Sequence, residues 1–124
     1  LMKENGSQGA IVNVASVNGV TPGMMQGIYS ITKSAVIAMT RSYARELGPD
    51  NIRVNALLPG LTDTKFASAL TSNDSIRDRA LEHIPMHRMA DPDEMAGTVL
   101  YLVSDASSYT TGTCVNVDGG YLTV

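Results

Sequence analysis

The sequence predicts an α/β fold in which a parallel sheet of about three strands is flanked by helices. Three apolar segments with strand character, residues 10–15, 52–58 and 113–117, are separated by segments with helical periodicity. The first is almost continuously apolar, which is typical of a parallel strand buried on both faces. Because a strand, a helix and a second strand follow in order, we expect a right-handed crossover between parallel strands.

The composition indicates a globular protein, since 44% of the 124 residues are hydrophobic. The formal net charge is −3 and the basic residues are scattered, which argues against a nucleic-acid partner and against attachment to an anionic membrane. No apolar run approaches the length that spans a membrane. The single cysteine, Cys114, excludes an internal disulfide and fits a reducing compartment. We therefore expect a cytoplasmic protein in which Cys114 is a small buried apolar residue.

The N-terminal elements follow from local signals. Residues 1–6 read as the last turn of a helix with Asn5 and Gly6 as its left-handed stop, so we expect sequence upstream of this chain. Gly9 opens the first strand. Asn13 interrupts its apolar run, and we expect a buried amide bonded to neighbouring backbone.

A long helix is predicted from Tyr29 to Leu47, followed by the second strand. Gly48 is expected to cap the helix in a left-handed conformation, because Pro49 cannot continue it. The apolar residues that recur at helical spacing are Ala35, Val36, Met39, Tyr43, Ala44 and Leu47.

Residues 71–91 are polar and contain one amphipathic helix, which is typical of a lid over an active site. Its apolar face is formed by Ile76, Ala80, Leu81 and Ile84. His83 and His87 have the spacing of a helical metal pair, but Pro85 between them disfavours a helix. No third ligand is evident in the sequence, so we predict no metal site.

A further helix is predicted to start at Asp91, with Pro92 at its first position and Glu94 three residues after the cap. Its apolar face is formed by Ala96, Val99, Leu100 and Val103. The last strand follows, and residues 118–120 then bend the chain.

The chemistry-bearing motif is Tyr29-x-x-x-Lys33, in which residues one helical turn apart share a face. The lysine ammonium favours the anionic form of the phenol, so the tyrosine can exchange a proton with an alcohol or a carbonyl. Ser16, at the end of the first strand, is the candidate second hydroxyl. An isolated match of this kind is more often a solvated tyrosine beside a surface lysine. Here a strand leads into Ser16, a loop follows and Tyr29 opens a helix, and this context favours the catalytic interpretation.

Two strand ends are expected to meet at one crevice. Ser16 follows the first strand, and Pro59 and Gly60 end the second. Ligands of open parallel sheets bind just beyond the carboxyl ends of the strands. These residues are therefore predicted to face the same ligand.

The motifs resemble those of the short-chain dehydrogenase/reductase family. The matching features are Ser16, Tyr29 and Lys33 at their spacing, Asn55-Ala-Leu-Leu-Pro-Gly60 with Thr64 after it, and Val117-Asp-Gly-Gly120. The resemblance implies a Rossmann-type fold and assigns residues 1–124 to a single C-terminal part of such a domain. It also implies NAD or NADP as cofactor, a small carbonyl or alcohol substrate, and a homo-oligomer, either a dimer or a tetramer.

The resemblance further implies the role of each site residue. Tyr29 would be the acid/base, Ser16 would polarise the substrate oxygen, and Lys33 would also hold the nicotinamide ribose. The cofactor would be contacted by Tyr29, Lys33, Pro59, Gly60, Thr62 and Thr64, with the Thr62 backbone on the carboxamide and Thr64 near the phosphates. Both threonines also suit local capping of a short helix predicted over residues 65–70. Met24 and Met25 would line the substrate pocket, although gap-filling is the alternative.

The family's glycine-rich turn for the pyrophosphate is not among these 124 residues. Neither are the residues that choose between NAD and NADP, and the first strand is expected to be an uncovered edge. The sequence therefore leaves two interpretations. The chain is either part of a longer oxidoreductase or a truncated non-catalytic module that binds partner chains through its open edge and the Tyr29–Leu47 helix.

Overall fold

The computed structural model describes residues 1–4, 6, 8–65, 67–68 and 73–123. Three strands form one sheet in the order β1-β2-β3, and both strand pairs are parallel. The strands are β1 (Gly9–Val14), β2 (Ile52–Pro59) and β3 (Cys114–Val117). The predicted parallel α/β arrangement of about three strands is confirmed.

The central strand β2 carries the core. The side chains of Val54, Ala56 and Leu58 are completely buried, whereas β1 is half-buried along most of its length. Within the described part of the chain, β1 pairs with β2 alone. The expectation that the first strand forms an uncovered edge holds for these residues.

The α-helices whose bounds lie within the described residues are α1 (Gly27–Leu47), α2 (Asp74–Glu82) and α3 (Ala96–Val103). Helix α1 begins two residues before the predicted start. Among the described residues, no helix combines the length and the apolar character needed to cross a bilayer. Thr71 and part of the short helix predicted over residues 65–70 lie outside the described residues.

The buried side of α1 agrees only in part with the predicted one: Ala44 is buried, and Val36 and Leu47 pack against the core as predicted. Its buried residues are Ser30, Ile37, Thr40 and Ala44, while Met39 and Tyr43 of the predicted face are exposed. The difference arises because two hydroxyl residues belong to the packed stripe. Thr40 is tolerated there since its hydroxyl donates to the Val36 carbonyl at 2.8 Å, so apolar periodicity alone could not find this face.

The Asn13 amide was expected to bond backbone, but its Nδ2 donates to the Thr40 hydroxyl at 3.0 Å. It thus joins β1 to α1. The buried amide that does bond backbone is Asn55, which donates to the Thr110 carbonyl at 2.9 Å and accepts from the Thr113 N–H at 3.1 Å. Asn55 therefore fixes the chain that leads into β3.

The prediction of a left-handed Gly48 was wrong. Gly48 has φ −52° and continues into the 3-10 turn Gly48–Asp50, and Asn51, with φ 58°, is the left-handed residue. Asparagine tolerates that conformation better than most residues. At the N-terminus, residues 2–4 form a turn in place of the predicted helical turn, and Gly6 is left-handed with φ 59°. Asn5 lies outside the described residues.

The predicted capping box before α3 is confirmed. The Asp91 carboxylate accepts from the Asp93 N–H, and the Glu94 carboxylate accepts from the Asp91 N–H, both at 2.8 Å. The predicted apolar face of α3 was partly wrong, because Leu102 is completely buried while Leu100 is 68% exposed. In so short and apolar a helix, the sequence pattern is compatible with several buried faces. Packing against the rest of the fold determines which of them is buried.

Candidate active site

A cleft of about 560 Å³ lies beyond the carboxyl ends of β1 and β2. It is lined by Ser16 from the end of β1 and by Pro59 and Gly60 from the end of β2. The structure therefore brings the two predicted strand ends to one site. Of the nine predicted site residues, eight line this cleft: Ser16, Met24, Tyr29, Lys33, Pro59, Gly60, Thr62 and Thr64.

Ser16 is held in a fixed orientation at the end of β1. Its side chain is 7% exposed, and its Oγ accepts from the Asn18 N–H at 3.2 Å, which caps the 3-10 turn Val17–Gly19. A Cβ on Gly19 would lie 2.8 Å from the carbonyl carbon of Lys33. Only glycine therefore lets α1 lie so close to the turn that carries Ser16.

Tyr29 and Lys33 occupy successive turns near the start of α1. The Nζ of Lys33 lies 5.6 Å from the centroid of the Tyr29 ring and donates to the Val14 carbonyl at 3.0 Å. The first distance is within the range of a cation–π interaction. The ammonium is thus held between the end of β1 and the phenol.

The loop before α1 separates the two predicted methionines. Met24 lines the cleft although it is 92% exposed, whereas Met25 is fully exposed and does not line it. Met25 also has a left-handed backbone, with φ 59°. Asn18 and Gln26, which the sequence analysis missed, also line the cleft and bond each other through their side-chain amides.

The segment after β2 forms the wall opposite α1. A Cβ on Gly60 would lie 2.7 Å from the Asp118 Cα, so a side chain there would displace the segment after β3. The hydroxyl of Thr62 donates to the Gly60 carbonyl at 3.1 Å. The hydroxyl of Thr64 accepts from the Ala67 N–H at 3.2 Å, which is the local capping that the sequence suggested as one of its roles.

Helix α2 contributes a mixed surface to the cleft. Ile76 and Ala80 of its predicted apolar face line the cleft, as does Ile84 just beyond the helix end, and Arg77 lines it beside them. The helix starts at an Asn73 cap, whose Oδ1 accepts from the Ser75 N–H at 3.0 Å. Arg77 was missed because the predicted face counted only apolar residues.

Tyr121, which was also missed, reaches the cleft from the C-terminal segment. The Asp118 carboxylate positions this segment by accepting from the N–H groups of Gly120 at 2.9 Å and Leu122 at 3.1 Å. Pro92 and Met95, which the sequence analysis also missed, line the cleft as well. Only tertiary packing brings these distant segments to the cleft, so no local signal pointed to them.

The histidine pair does not share a helix, because α2 ends at Glu82 before His83. His87 has a left-handed backbone with φ 49°. In the part of the chain that the structure describes, no group of three or more His, Cys, Asp or Glu residues is placed to hold a metal ion.

The pKa of the Glu94 carboxyl group is strongly lowered, and this group does not line the cleft. Both oxygens of Glu94 accept from the Arg88 guanidinium at 2.7 Å. These hydrogen bonds, followed by the one from the Asp91 N–H, lower the pKa of Glu94 to about 2. The pair reinforces the cap of α3 and takes no part in lining the cleft.

Comparisons with known proteins give a consistent result. A family model described as enoyl-(acyl carrier protein) reductase matches residues 1–122. The chain is 44% identical to the 3-oxoacyl-[acyl-carrier-protein] reductase of Thermotoga maritima over 112 residues, covering 90% of this chain and 45% of the relative. It is 40% identical to the L-rhamnose 1-dehydrogenase (NAD(P)(+)) of Azotobacter vinelandii over 119 residues, covering 96% and 46%. The chain spans about half the length of these curated relatives.

Solved structures match over nearly the whole chain. The gluconate 5-dehydrogenase of Burkholderia cenocepacia, in complex with NADP and tartrate, superposes with a TM-score of 0.96 at 29% identity, covering 99% of this chain and 48% of that one. A 4-hydroxyisoleucine dehydrogenase complexed with NADH superposes with a TM-score of 0.93 at 30% identity, covering 98% and 50%.

Proposed function

The chain belongs to the short-chain dehydrogenase/reductase family, and we propose that it is a C-terminal part of an NAD(P)-dependent oxidoreductase, supplying the substrate and nicotinamide end of the active site. The proposed reaction is reversible hydride transfer between the cofactor and a carbonyl compound or secondary alcohol. The carrying observation is that Ser16, Tyr29 and Lys33 line one cleft, with the Lys33 ammonium 5.6 Å from the Tyr29 ring.

The nicotinamide cofactor would supply or accept the hydride at the substrate carbon. In the direction of reduction, the Tyr29 hydroxyl would give its proton to the carbonyl oxygen, and in oxidation the phenolate would take that proton back. The Lys33 ammonium would stabilise the phenolate formed in between. Hydride and proton together convert the carbonyl into the alcohol.

Ser16 would orient the same substrate oxygen. Its Oγ already accepts from the Asn18 N–H at 3.2 Å, which leaves the hydroxyl proton available as a donor. A fixed donor at the reacting oxygen stabilises the charge that develops there during hydride transfer. Because Ser16 is 7% exposed, its position should change little when the substrate binds.

The cofactor would bind along the ends of β1 and β2. The donor set fits a nicotinamide ribose and carboxamide, because Lys33, Tyr29 and the segment of Thr62 offer N–H and O–H groups to one cleft. Pro59 and Gly60 would form its floor, and Thr64 would face the phosphates. The NADP and NADH in the two structural relatives support this assignment.

We also infer association between copies through α1. Four apolar side chains on one side of this helix are exposed: Ile28, Ile31, Met39 and Tyr43. Exposed apolar side chains on one side of a helix are typical of an interface. A homodimer or homotetramer would cover it, as would a partner chain if the protein were a non-catalytic module. The cytoplasmic location stays a prediction based on Cys114, which is a free thiol.

The proposed function is tested on the full-length protein that contains this chain. NADH and NADPH oxidation is followed by absorbance with a panel of ketones and aldehydes, with Ser16→Ala as the site variant and Ser108→Ala, an exposed position outside the cleft and outside α1, as its control. We expect saturable turnover that Ser16→Ala lowers at least about 10-fold and Ser108→Ala does not. Cofactor binding without turnover of any carbonyl compound or alcohol would favour the non-catalytic module.

A further inference from the structure

The charged residues of the cleft have one sign. Among the described residues that line it, Lys33 and Arg77 are the charged ones, and neither an aspartate nor a glutamate lines it. The remaining lining residues are apolar or neutral. An uncharged wall strengthens the electrostatic interaction of a cation with a ligand, because it lowers the local dielectric constant. The cleft therefore favours a ligand that carries negative charge.

The two cations are not equivalent. Lys33 is engaged by the Val14 carbonyl at 3.0 Å and by the Tyr29 ring at 5.6 Å, and the proposed reaction already uses it. Arg77 has no role in that reaction. It sits on the side of α2 that faces the cleft, between Ile76 and Ala80 in sequence, and lines the same cleft as Tyr29.

The Arg77 guanidinium is available to a ligand. Its present carboxylate neighbours are Asp74 at 3.1 Å and Asp78 at 3.3 Å, whose side chains are 82% and 65% exposed. Exposed ion pairs of this kind contribute little stability and exchange readily. A guanidinium carries five N–H donors in a planar fork, which suits bidentate binding of a carboxylate or phosphate.

We propose that Arg77 is a specificity-determining residue that binds an anionic group of the substrate, a carboxylate or a phosphate, so that the protein prefers acidic carbonyl compounds. This inference rests on the proposed function, since it names the substrate class of the same site. The cofactor diphosphate is a second source of the same chemistry, and the experiment below separates the two.

The test compares Arg77→Gln with Arg79→Gln in the full-length protein. Arg79 lies two residues further along α2, is exposed and does not line the cleft, so it is a matched control for lost surface charge. A panel of oxo acids is assayed at saturating cofactor, each acid beside its neutral methyl ester. The KM for the cofactor is measured separately.

We expect Arg77→Gln to lower kcat/KM for the acid at least about 10-fold and for the ester less than about 2-fold, because a charge-assisted hydrogen bond is lost only with the acid. Arg79→Gln should change neither value, and Arg77→Lys should retain part of the preference. Thermal melting of each variant checks that it is folded.

Four results would overturn the inference. Equal losses of kcat/KM for acid and ester would mean that Arg77 does not bind the charged group of the substrate. A raised cofactor KM with an unchanged acid-to-ester ratio would assign Arg77 to the cofactor phosphates. A wild-type protein that reduces neutral esters and ketones but no acids would reject the substrate class and leave the proposed function standing, whereas a protein that reduces neither would reject both.

Discussion

The Nζ of Lys33 lies 3.0 Å from the carbonyl oxygen of Val14. This hydrogen bond joins the second turn of α1 to the last residue of β1, and it holds the ammonium 5.6 Å from the centroid of the Tyr29 ring. The lysine thus has a fixed place at the strand end before any ligand binds. Preorganised charge of this kind needs no reorganisation during the reaction.

Lys33→Met should therefore impair both binding and catalysis in the full-length protein. The variant keeps a side chain of similar length but loses the ammonium that would hold the ribose and stabilise the phenolate. We expect the cofactor Kd to rise and kcat to fall, each by about 10-fold or more. Lys65→Met, at an exposed position outside the cleft, is the control. Unchanged cofactor binding would show that Lys33 does not contact the cofactor.

Tyr29→Phe removes the transferable proton while keeping the ring that lies beside Lys33. Turnover should fall at least about 100-fold with nearly unchanged cofactor affinity, which is the pattern of a lost general acid. Tyr109→Phe, a fully exposed position that does not line the cleft, should leave turnover unchanged. Steady-state kinetics on both variants measure kcat and the cofactor KM. Near-normal turnover of Tyr29→Phe would assign proton transfer to another group.

The parallel sheet and the cleft at its carboxyl edge could be predicted because they depend on chain order and apolar runs. The face of α1 could not, since Thr40 is buried through hydrogen bonds to Asn13 and Val36. Arg77 also escaped prediction, because a basic residue on an amphipathic helix has the pattern of a solvated one. Its position on the cleft depends on how α2 packs, which no local pattern encodes.

Arg53 shows a similar dependence on tertiary structure. Its guanidinium donates to the Leu102 carbonyl at 2.9 Å, the Ser107 hydroxyl at 2.7 Å and the Ser104 carbonyl at 3.1 Å. These groups lie at and just after the end of α3, where a positive charge also interacts favourably with the helix dipole. One side chain on β2 therefore fixes the C-terminal end of α3.

Arg53→Met should lower the free energy of unfolding by about 2 kcal/mol or more, because it leaves partly buried acceptors without their charged donor. Arg41→Met, an exposed position on α1, should change it by less than about 0.5 kcal/mol. Urea unfolding of the full-length variants measures both values. Similar effects at the two positions would mean that the Arg53 bonds are replaced by water at little cost.

The Arg88–Glu94 pair should make stability depend on acid pH. The folded-state pKa of Glu94 is lowered from 4.5 to about 2 by its hydrogen bonds to Arg88 and to the Asp91 N–H. A depressed carboxyl pKa contributes stability that is present above pH 4.5 and is lost as the pH falls toward 2. Both side chains are partly exposed, so solvent screening keeps the effect small.

Glu94→Gln should consequently be less stable than wild type at pH 7, and the difference in Tm should shrink below about pH 4.5. Glu46→Gln, an exposed position on α1, should show no such pH-dependent difference. Thermal melting between pH 7 and pH 3 provides the measurement. A Tm difference that stays constant over this range would show that the Glu94 charge does not stabilise the fold.

The 124-residue chain by itself should not bind NADH or NADPH tightly. It holds residues for the nicotinamide end of the proposed site, at Tyr29, Lys33 and Thr62. The glycines between β1 and α1 are spaced four residues apart and do not match the G-x-G-x-x-G turn, after which a helix N-terminus would neutralise the diphosphate. Within the described residues β1 also has an unpaired edge, so the isolated chain should self-associate or fold poorly.

Titration calorimetry and sedimentation on the isolated chain, with the full-length protein as control, test both expectations. Micromolar binding by a stable monomer would show that this half of the fold is sufficient for the cofactor.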